Sequence, residues 1–171
     1  MYRKIIFGTN FSESCGWAFD QALDLARKYS ATLYVCHYVE SPYKLYRQFV
    51  YTTPGSTEQL GFMSPEIKKA YTNHLGKLYL GKAKDFKNIE VVVEPGHAHV
   101  ELLRLARKIG ADLIVLGMTS EEKEPMTIGN NLDQVVRRAR CPVMVVSGPT
   151  SFTMAEGKTP LRETIRAGGG R

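Results

Sequence analysis

A chain of 171 residues has the length of about one domain, and a domain of that size buries roughly 70% of the surface its unfolded chain exposes, so the fold needs no disulfide or metal staple. With 43% apolar, 23% charged and 10% aromatic residues and a net charge of +6, the composition excludes collagen-like, disulfide-scaffold and wholly disordered chains. Cys15, Cys36 and Cys141 stand far apart without a C-x-x-C, which excludes a zinc cluster or redox dithiol and suits a reducing compartment.

No apolar run approaches the 18 or so residues of a membrane span, and MYRKIIFGTN turns polar too soon for a signal peptide. These features predict a cytoplasmic protein. From Lys4 onward, short apolar runs alternate with helix-period stretches, the pattern of βαβ units and a parallel sheet. Lys4 to Thr9 reads as a first strand and Ser14 to Tyr29 as a helix with Ala18, Ala22, Leu25 and Ala26 inward. Thr32 to Tyr38 is the second strand. Ser64 and Pro65 form the N-cap and first turn of a helix reaching about Phe86, which Gly76 and Gly81 weaken by roughly 1 kcal/mol each.

Ile89 to Glu94 is the third strand, and Pro95-Gly96 turns into a helix from Ala98 to Ile109. Its predicted apolar face is Val100, Leu103, Leu105 and Ala106, with Gly110 as the stop. Asp112 to Leu116 is the fourth strand, Asn131 to Arg140 a short helix ended before Pro142, and Val143 to Val146 the fifth strand. Two segments stand outside the alternation. Residues 41–63 carry Tyr43, Tyr46, Phe49, Tyr51 and Phe62 among prolines and glycines, which predicts a packed lid or dimer-contact loop. The tail 148–171 sets Lys158, Arg162, Arg166 and Arg171 against Glu156 and Glu163 without apolar periodicity, and reads as a disordered basic tail.

Open parallel sheets bind ligands beyond the carboxyl ends of their strands, where the strand order reverses. That directs attention to Thr9-Asn10-Phe11-Ser12-Glu13-Ser14 after the first strand, and to Gly117-Met118-Thr119-Ser120 and Gly129-Asn130-Asn131 after the fourth. Glycines beside a helix N-terminus suit an anion, because backbone N–H groups can approach it closely.

The segments TNFSES, GHAHVELLRLARKIGADLIVLGM, the loop from Gly117 to Gly129 and CPVMVV together resemble the universal stress protein family over roughly residues 2–147. The resemblance implies an open five-stranded parallel α/β sheet in order 3-2-1-4-5 with helices on both faces. It also implies a homodimer joined near the fifth strands and, in one branch, ATP in a G-x2-G-x9-G-(S/T) loop. Carried onto this chain, the nucleotide-binding positions are Thr9, Asn10, Tyr38, Gly117, Met118, Ser120, Gly129, Asn130 and Asn131.

The loop departs from that pattern: Ser120 stands at the second glycine, the spacer before Gly129 is one residue short, and Asn130 replaces the hydroxyl residue. Asn10 stands where the ATP-binding branch has an aspartate that reaches the nucleotide sugar, and a neutral hydrogen bond is worth about 0.5–1.5 kcal/mol against about 1.5–3 for a charged one. Glu121, Glu122 and Glu124 against Lys123 make the loop acidic, which disfavours a triphosphate without Mg²⁺.

Other polar residues read as structural. His97 and His99 follow a turn with no metal-spaced partner and read as a solvent-exposed pair. His37 reads as a satisfied core histidine, Cys36 as core, Cys15 as ordinary packing, and one of Ser12 and Ser14 as a helix cap. Arg137, Arg138 and Arg140 lack an aromatic platform, so they read as a solvated helix face rather than a nucleic-acid site. No P-loop, dinucleotide fingerprint or nucleophile elbow is present, and no catalytic set emerges. The reading is a dimeric cytoplasmic stress-response or signalling module with an altered site for ATP or another adenine nucleotide. Two alternatives are a slowly hydrolysing, Mg²⁺-dependent nucleotide switch and a scaffold without nucleotide that binds an unidentified protein through the aromatic loop 41–63 and the basic tail.

Overall fold

The computed structural model describes residues 1–39, 63–118 and 130–148. The predicted aromatic loop, apart from Met63, and the tail beyond Gly148 lie outside these residues. Five strands, β1 (Lys4–Gly8), β2 (Thr32–Val39), β3 (Ile89–Pro95), β4 (Leu113–Gly117) and β5 (Val143–Val146), form one sheet in the order β3-β2-β1-β4-β5. Every pairing is parallel, with Ile6 of β1 opposite Tyr34 of β2 on one side and Ile114 of β4 on the other. Among the described residues the longer helices that follow the strands are α1 (Glu13–Tyr29), α2 (Pro65–Leu75), α3 (Ala98–Ile109) and α4 (Asn130–Arg138).

Period-two alternation sorts the side chains of the buried strands between two cores. Ile5, Phe7, Leu33, Val35, Leu113 and Val115 face α1 and α2, where they meet Ala18, Phe19, Ala22 and Leu75. Ile6, Tyr34, Cys36, Tyr38 and Ile114 face α3 and α4, where they meet Leu102, Leu103, Ala106 and Val135. The three inner strands β2, β1 and β4 are covered on both faces, which is why they read as largely apolar runs.

Three expectations change in detail. The buried stripe of α3 is Leu102, Leu103 and Ala106, while Val100 is 39% exposed and Leu105 half-buried. On α1, Phe19 and Leu23 replace Leu25 at the inward face, because the stripe runs through Cys15, Ala18, Phe19, Ala22 and Ala26. The helix expected to run to Phe86 leaves α geometry at Gly76: a π-helical turn, Gly76–Leu80, is followed by a last turn, Gly81–Ala83. A π turn inserts one residue into the helical count, and here it brings buried Tyr79 against Phe7 and Phe19, with centroids at 5.2 and 4.9 Å. At the start of α2, Ser64 Oγ accepts from the Ile67 N–H at 3.3 Å, as predicted for an N-cap before Pro65.

Phe7, Phe19 and Tyr79 thus close a mutual cluster between sheet and helices, edge-on where Phe7 meets the other two rings and tilted between Phe19 and Tyr79. Phe19→Ala leaves a cavity at its centre, and we expect a loss of about 3–5 kcal/mol of unfolding free energy, measured by chemical denaturation.

Candidate functional site

β1 leads into α1 through Thr9, Asn10, Phe11 and Ser12, and this turn sits at the carboxyl end of the sheet between β2 and β4, where the strand order reverses. Buried Thr9 holds it together. Its N–H donates to the Cys36 carbonyl at 3.0 Å, its Oγ1 accepts from the Phe11 N–H at 3.0 Å, and its hydroxyl pairs with the Tyr79 hydroxyl at 2.7 Å. The Thr9 carbonyl accepts from His37 Nδ1 at 2.9 Å, which assigns the Nδ1–H tautomer to that imidazole.

Phe11 has φ 66°, a left-handed conformation costly for an aromatic residue. The ring so directed lies 4.3 Å from the His37 ring and 4.7 Å from His74, with Tyr71 stacked behind at 6.1 Å. Next to it, Asn10 Oδ1 accepts from the Ser12 N–H at 3.0 Å and from the Cys15 thiol at 3.1 Å. Neither Ser12 nor Ser14 caps α1 through its side chain as expected. Ser12 occupies the N-cap position, but its hydroxyl is engaged with Ser14 Oγ at 3.0 Å and Cys15 Sγ at 3.3 Å.

On the α3/α4 face of this turn lies a cavity of about 110 Å³. Thr9, Asn10 and Gly117 line it from the strand ends, and Cys36 and Tyr38 line it from β2. Leu102, Leu116, Leu132 and Val135 supply its apolar wall, and His99 and Asn131 come from the first turns of α3 and α4. Among the described lining residues there is no Lys, Arg, Asp or Glu. Burial pushes the Cys36 thiol and the Tyr38 hydroxyl well above their ordinary ranges, so both stay protonated at neutral pH. The described lining is therefore nearly charge-free, and such a wall takes an apolar ring with a few polar edges.

Of the sequence-predicted positions, Thr9, Asn10, Tyr38, Gly117 and Asn131 meet at this cavity. Met118 stands just past β4, its N–H donating to the Val146 carbonyl at 2.8 Å, and is not part of the lining. Asn130 begins α4, while Ser120 and Gly129 lie outside the described residues. Gly117 owes its glycine to packing as much as to any ligand. A Cβ there would lie 2.8 Å from the Cys15 nitrogen and the Ser14 carbonyl carbon, so the first turn of α1 rests directly on the end of β4. Cys15, Cys36, Leu102 and Leu116 were not foreseen as lining residues. His99 is corrected: it is half-buried and lines the cavity, its Nδ1 bonded to Asn131 Oδ1 at 2.9 Å, rather than a solvent-exposed turn residue. The i, i+3, i+4 spacing of His99, Leu102 and Leu103 places them on one face, and this was the signal available.

A profile of the universal stress protein family matches residues 1–147. The chain belongs to that family. It is similar, at 27% identity over 95% of this chain and 96% of the relative, to a Staphylococcus epidermidis protein whose name places it in the same family. Among solved structures, a universal stress protein in complex with cAMP shares the fold with a TM-score of 0.61 at 21% identity, over 85% of this chain and 97% of that one. The Archaeoglobus fulgidus universal stress protein in complex with dAMP does so with a TM-score of 0.58 at 15% identity, over 85% and 98%. Among the described residues no helix is long and apolar enough to cross a membrane, and no group of three His, Cys, Asp or Glu could hold a metal ion.

His37 gives the turn a pH dependence with a definite sign. Burial lowers its pKa below the ordinary 6.5, against the raising effect of the Thr9 carbonyl, and His74 opposite adds to the lowering. The unfolded chain then takes up the proton more readily than the folded one, so the stability held by neutral His37 is complete above pH about 6.5 and drains away as pH falls through the folded-state value. Denaturation midpoints of the wild type should fall between about pH 7.5 and about pH 5, and His37→Gln should flatten that slope.

Proposed function

We propose that this chain is a dimeric, cytoplasmic stress-response module whose cavity at the ends of β1 and β4 takes an adenine nucleoside or lightly charged nucleotide. The observation that carries this reading is the chemistry of the cavity: an apolar wall at the strand-order reversal, rimmed by neutral amides, hydroxyls and one imidazole. The complexes of two structural relatives with cAMP and dAMP support an adenine ligand. At about 110 Å³ the cavity is small beside the roughly 300–1,000 Å³ of ordinary ligand pockets. It suits a single ring system with the sugar and any phosphate at the mouth.

Calorimetry with adenosine, AMP and ATP, with and without Mg²⁺, tests the ligand. Adenosine and AMP should bind at least as tightly as ATP in the absence of Mg²⁺. The acidic run Glu121, Glu122 and Glu124 repels phosphate, so added salt should narrow the difference. Tight binding of Mg-ATP in preference to adenosine would instead favour the nucleotide-switch reading.

The dimer rests on a contrast between the two sheet edges. β3 carries exposed Glu90 and Glu94 and ends in Pro95, three devices that discourage further pairing. β5 is the bare run VMVV with Val145 38% exposed, and Val136 of α4 is 47% exposed. A second copy covering β5 removes that hazard. Light scattering at micromolar concentration should give a dimer mass for the wild type and a monomer mass for Val145→Lys. A monomeric wild type would refute the assembly.

A further inference from the structure

The contact that the family resemblance implies between position 10 and the nucleotide sugar meets an obstacle in this chain. An amide oxygen offers two lone pairs, and Asn10 Oδ1 already accepts two local donors, the Ser12 N–H at 3.0 Å and the Cys15 thiol at 3.1 Å. Asn10 is thereby committed to shaping its own turn. Its acceptor oxygen is spent before a ligand arrives.

Across the cavity, His99 and Asn131 hold the complementary chemistry. His99 Nδ1 lies 2.9 Å from Asn131 Oδ1, and both residues line the cavity. Since the amide oxygen accepts, His99 Nδ1–H donates. Nε2 then keeps a lone pair, and Asn131 Nδ2 keeps its N–H donors. The pair therefore sets an acceptor and donors side by side. A hydroxyl, which both gives and takes a hydrogen bond, matches such a pair, and two neighbouring hydroxyls match it better. A phosphate only accepts, and it would face the lone pair of Nε2 with no lysine or arginine among the described lining residues to offset the charge. Packing fixes the helices that carry the pair: Leu102, Leu103 and Ala106 anchor α3, Leu132 and Val135 anchor α4, and the bond between half-buried His99 and exposed Asn131 joins their first turns.

We propose that the His99–Asn131 pair is the sugar-reading element of this site, engaging the vicinal hydroxyls of a nucleoside whose ring lies against Leu102, Leu116 and Tyr38. The proposal rests on the reading of the cavity as an adenine nucleoside site. It transfers sugar recognition from the turn after β1 to the facing starts of α3 and α4.

Calorimetry with adenosine and with dideoxyadenosine, which lacks both vicinal hydroxyls, decides between outcomes. The wild type should bind adenosine more tightly than the dideoxy analogue. His99→Ala and Asn131→Ala should each weaken adenosine about fivefold or more while leaving the dideoxy analogue unchanged. His99→Gln, whose amide again offers a donor beside an acceptor, should retain most of the preference and guards against a merely structural loss. If the wild type binds both ligands equally, or if the alanine variants weaken both alike, the sugar-reading role is overturned while the nucleoside site stands. If the wild type binds neither, the nucleoside reading itself falls and the inference falls with it.

Discussion

The site depends first on the satisfaction of one buried threonine. Thr9 follows directly on the central strand, where a polar side chain taken out of water costs several kcal/mol unless every group finds a partner. Its amide, carbonyl and hydroxyl are all engaged, with Cys36, His37, Phe11 and Tyr79. Those partners lie on β2, on the turn into α1 and on the π turn after α2, so one residue ties three segments to the switch point of the sheet. The left-handed Phe11 is tolerated within this frame because its N–H and its ring are both held. Were the hydroxyl removed, Tyr79 would lose its hydrogen-bond partner and the Phe11 amide its acceptor, and the turn that aims Asn10 and Cys15 toward the cavity would lose its brace.

The fold was legible because each of its signals is local. Buried parallel strands write themselves as apolar runs such as KIIFG and LIVLG, and the helices end where Gly110 and Pro142 stop them. The π turn was only half visible. Gly76 and Gly81 announced a weakened helix, but what they bracket is an extra residue in the helical count, and that shift is set by the need of Tyr79 to reach Thr9 across 70 positions. No window of sequence contains both ends of such a bond. The stripe of α3 was misplaced for a milder reason: Val100 and Leu105 are as apolar as Leu102, and only the sheet decides which of them faces it.

The candidate site was legible where backbone position defines it and obscure where side chains from separate elements meet. The strand ends at Thr9, Tyr38 and Gly117 follow from topology alone, since ligands gather at the reversal of strand order. The roles of single residues do not follow. Gly117 matches a phosphate-loop glycine in sequence, yet a Cβ there would run into the backbone of Ser14 and Cys15, so close helix packing already requires it. Asn10 matches a sugar-binding position in sequence, yet its oxygen is spent on Ser12 and Cys15. His99 had no motif to mark it, and it becomes part of the cavity only because α3 and α4 start side by side.

This division bears on what a ligand could do here. A ligand shifts a conformational equilibrium only by its differential affinity for the two states, and a switch driven by nucleotide hydrolysis therefore needs groups that distinguish a triphosphate from a diphosphate. The described lining offers apolar walls, two buried neutral groups in Cys36 and Tyr38, and the hydrogen-bonded His99–Asn131 pair. On the proposed reading such a surface discriminates by ring shape and hydroxyl placement and gains nothing from added phosphates. On the proposed reading, the information this module takes from its ligand is whether the nucleoside is present, and occupancy would be felt at the first turns of α1, α3 and α4, whose residues Cys15, His99 and Asn131 border the same space. Those turns lie at the carboxyl end of the sheet, beside the end of β4 that pairs with β5. The strand proposed to meet a second copy is thus bonded directly to the strand that floors the cavity.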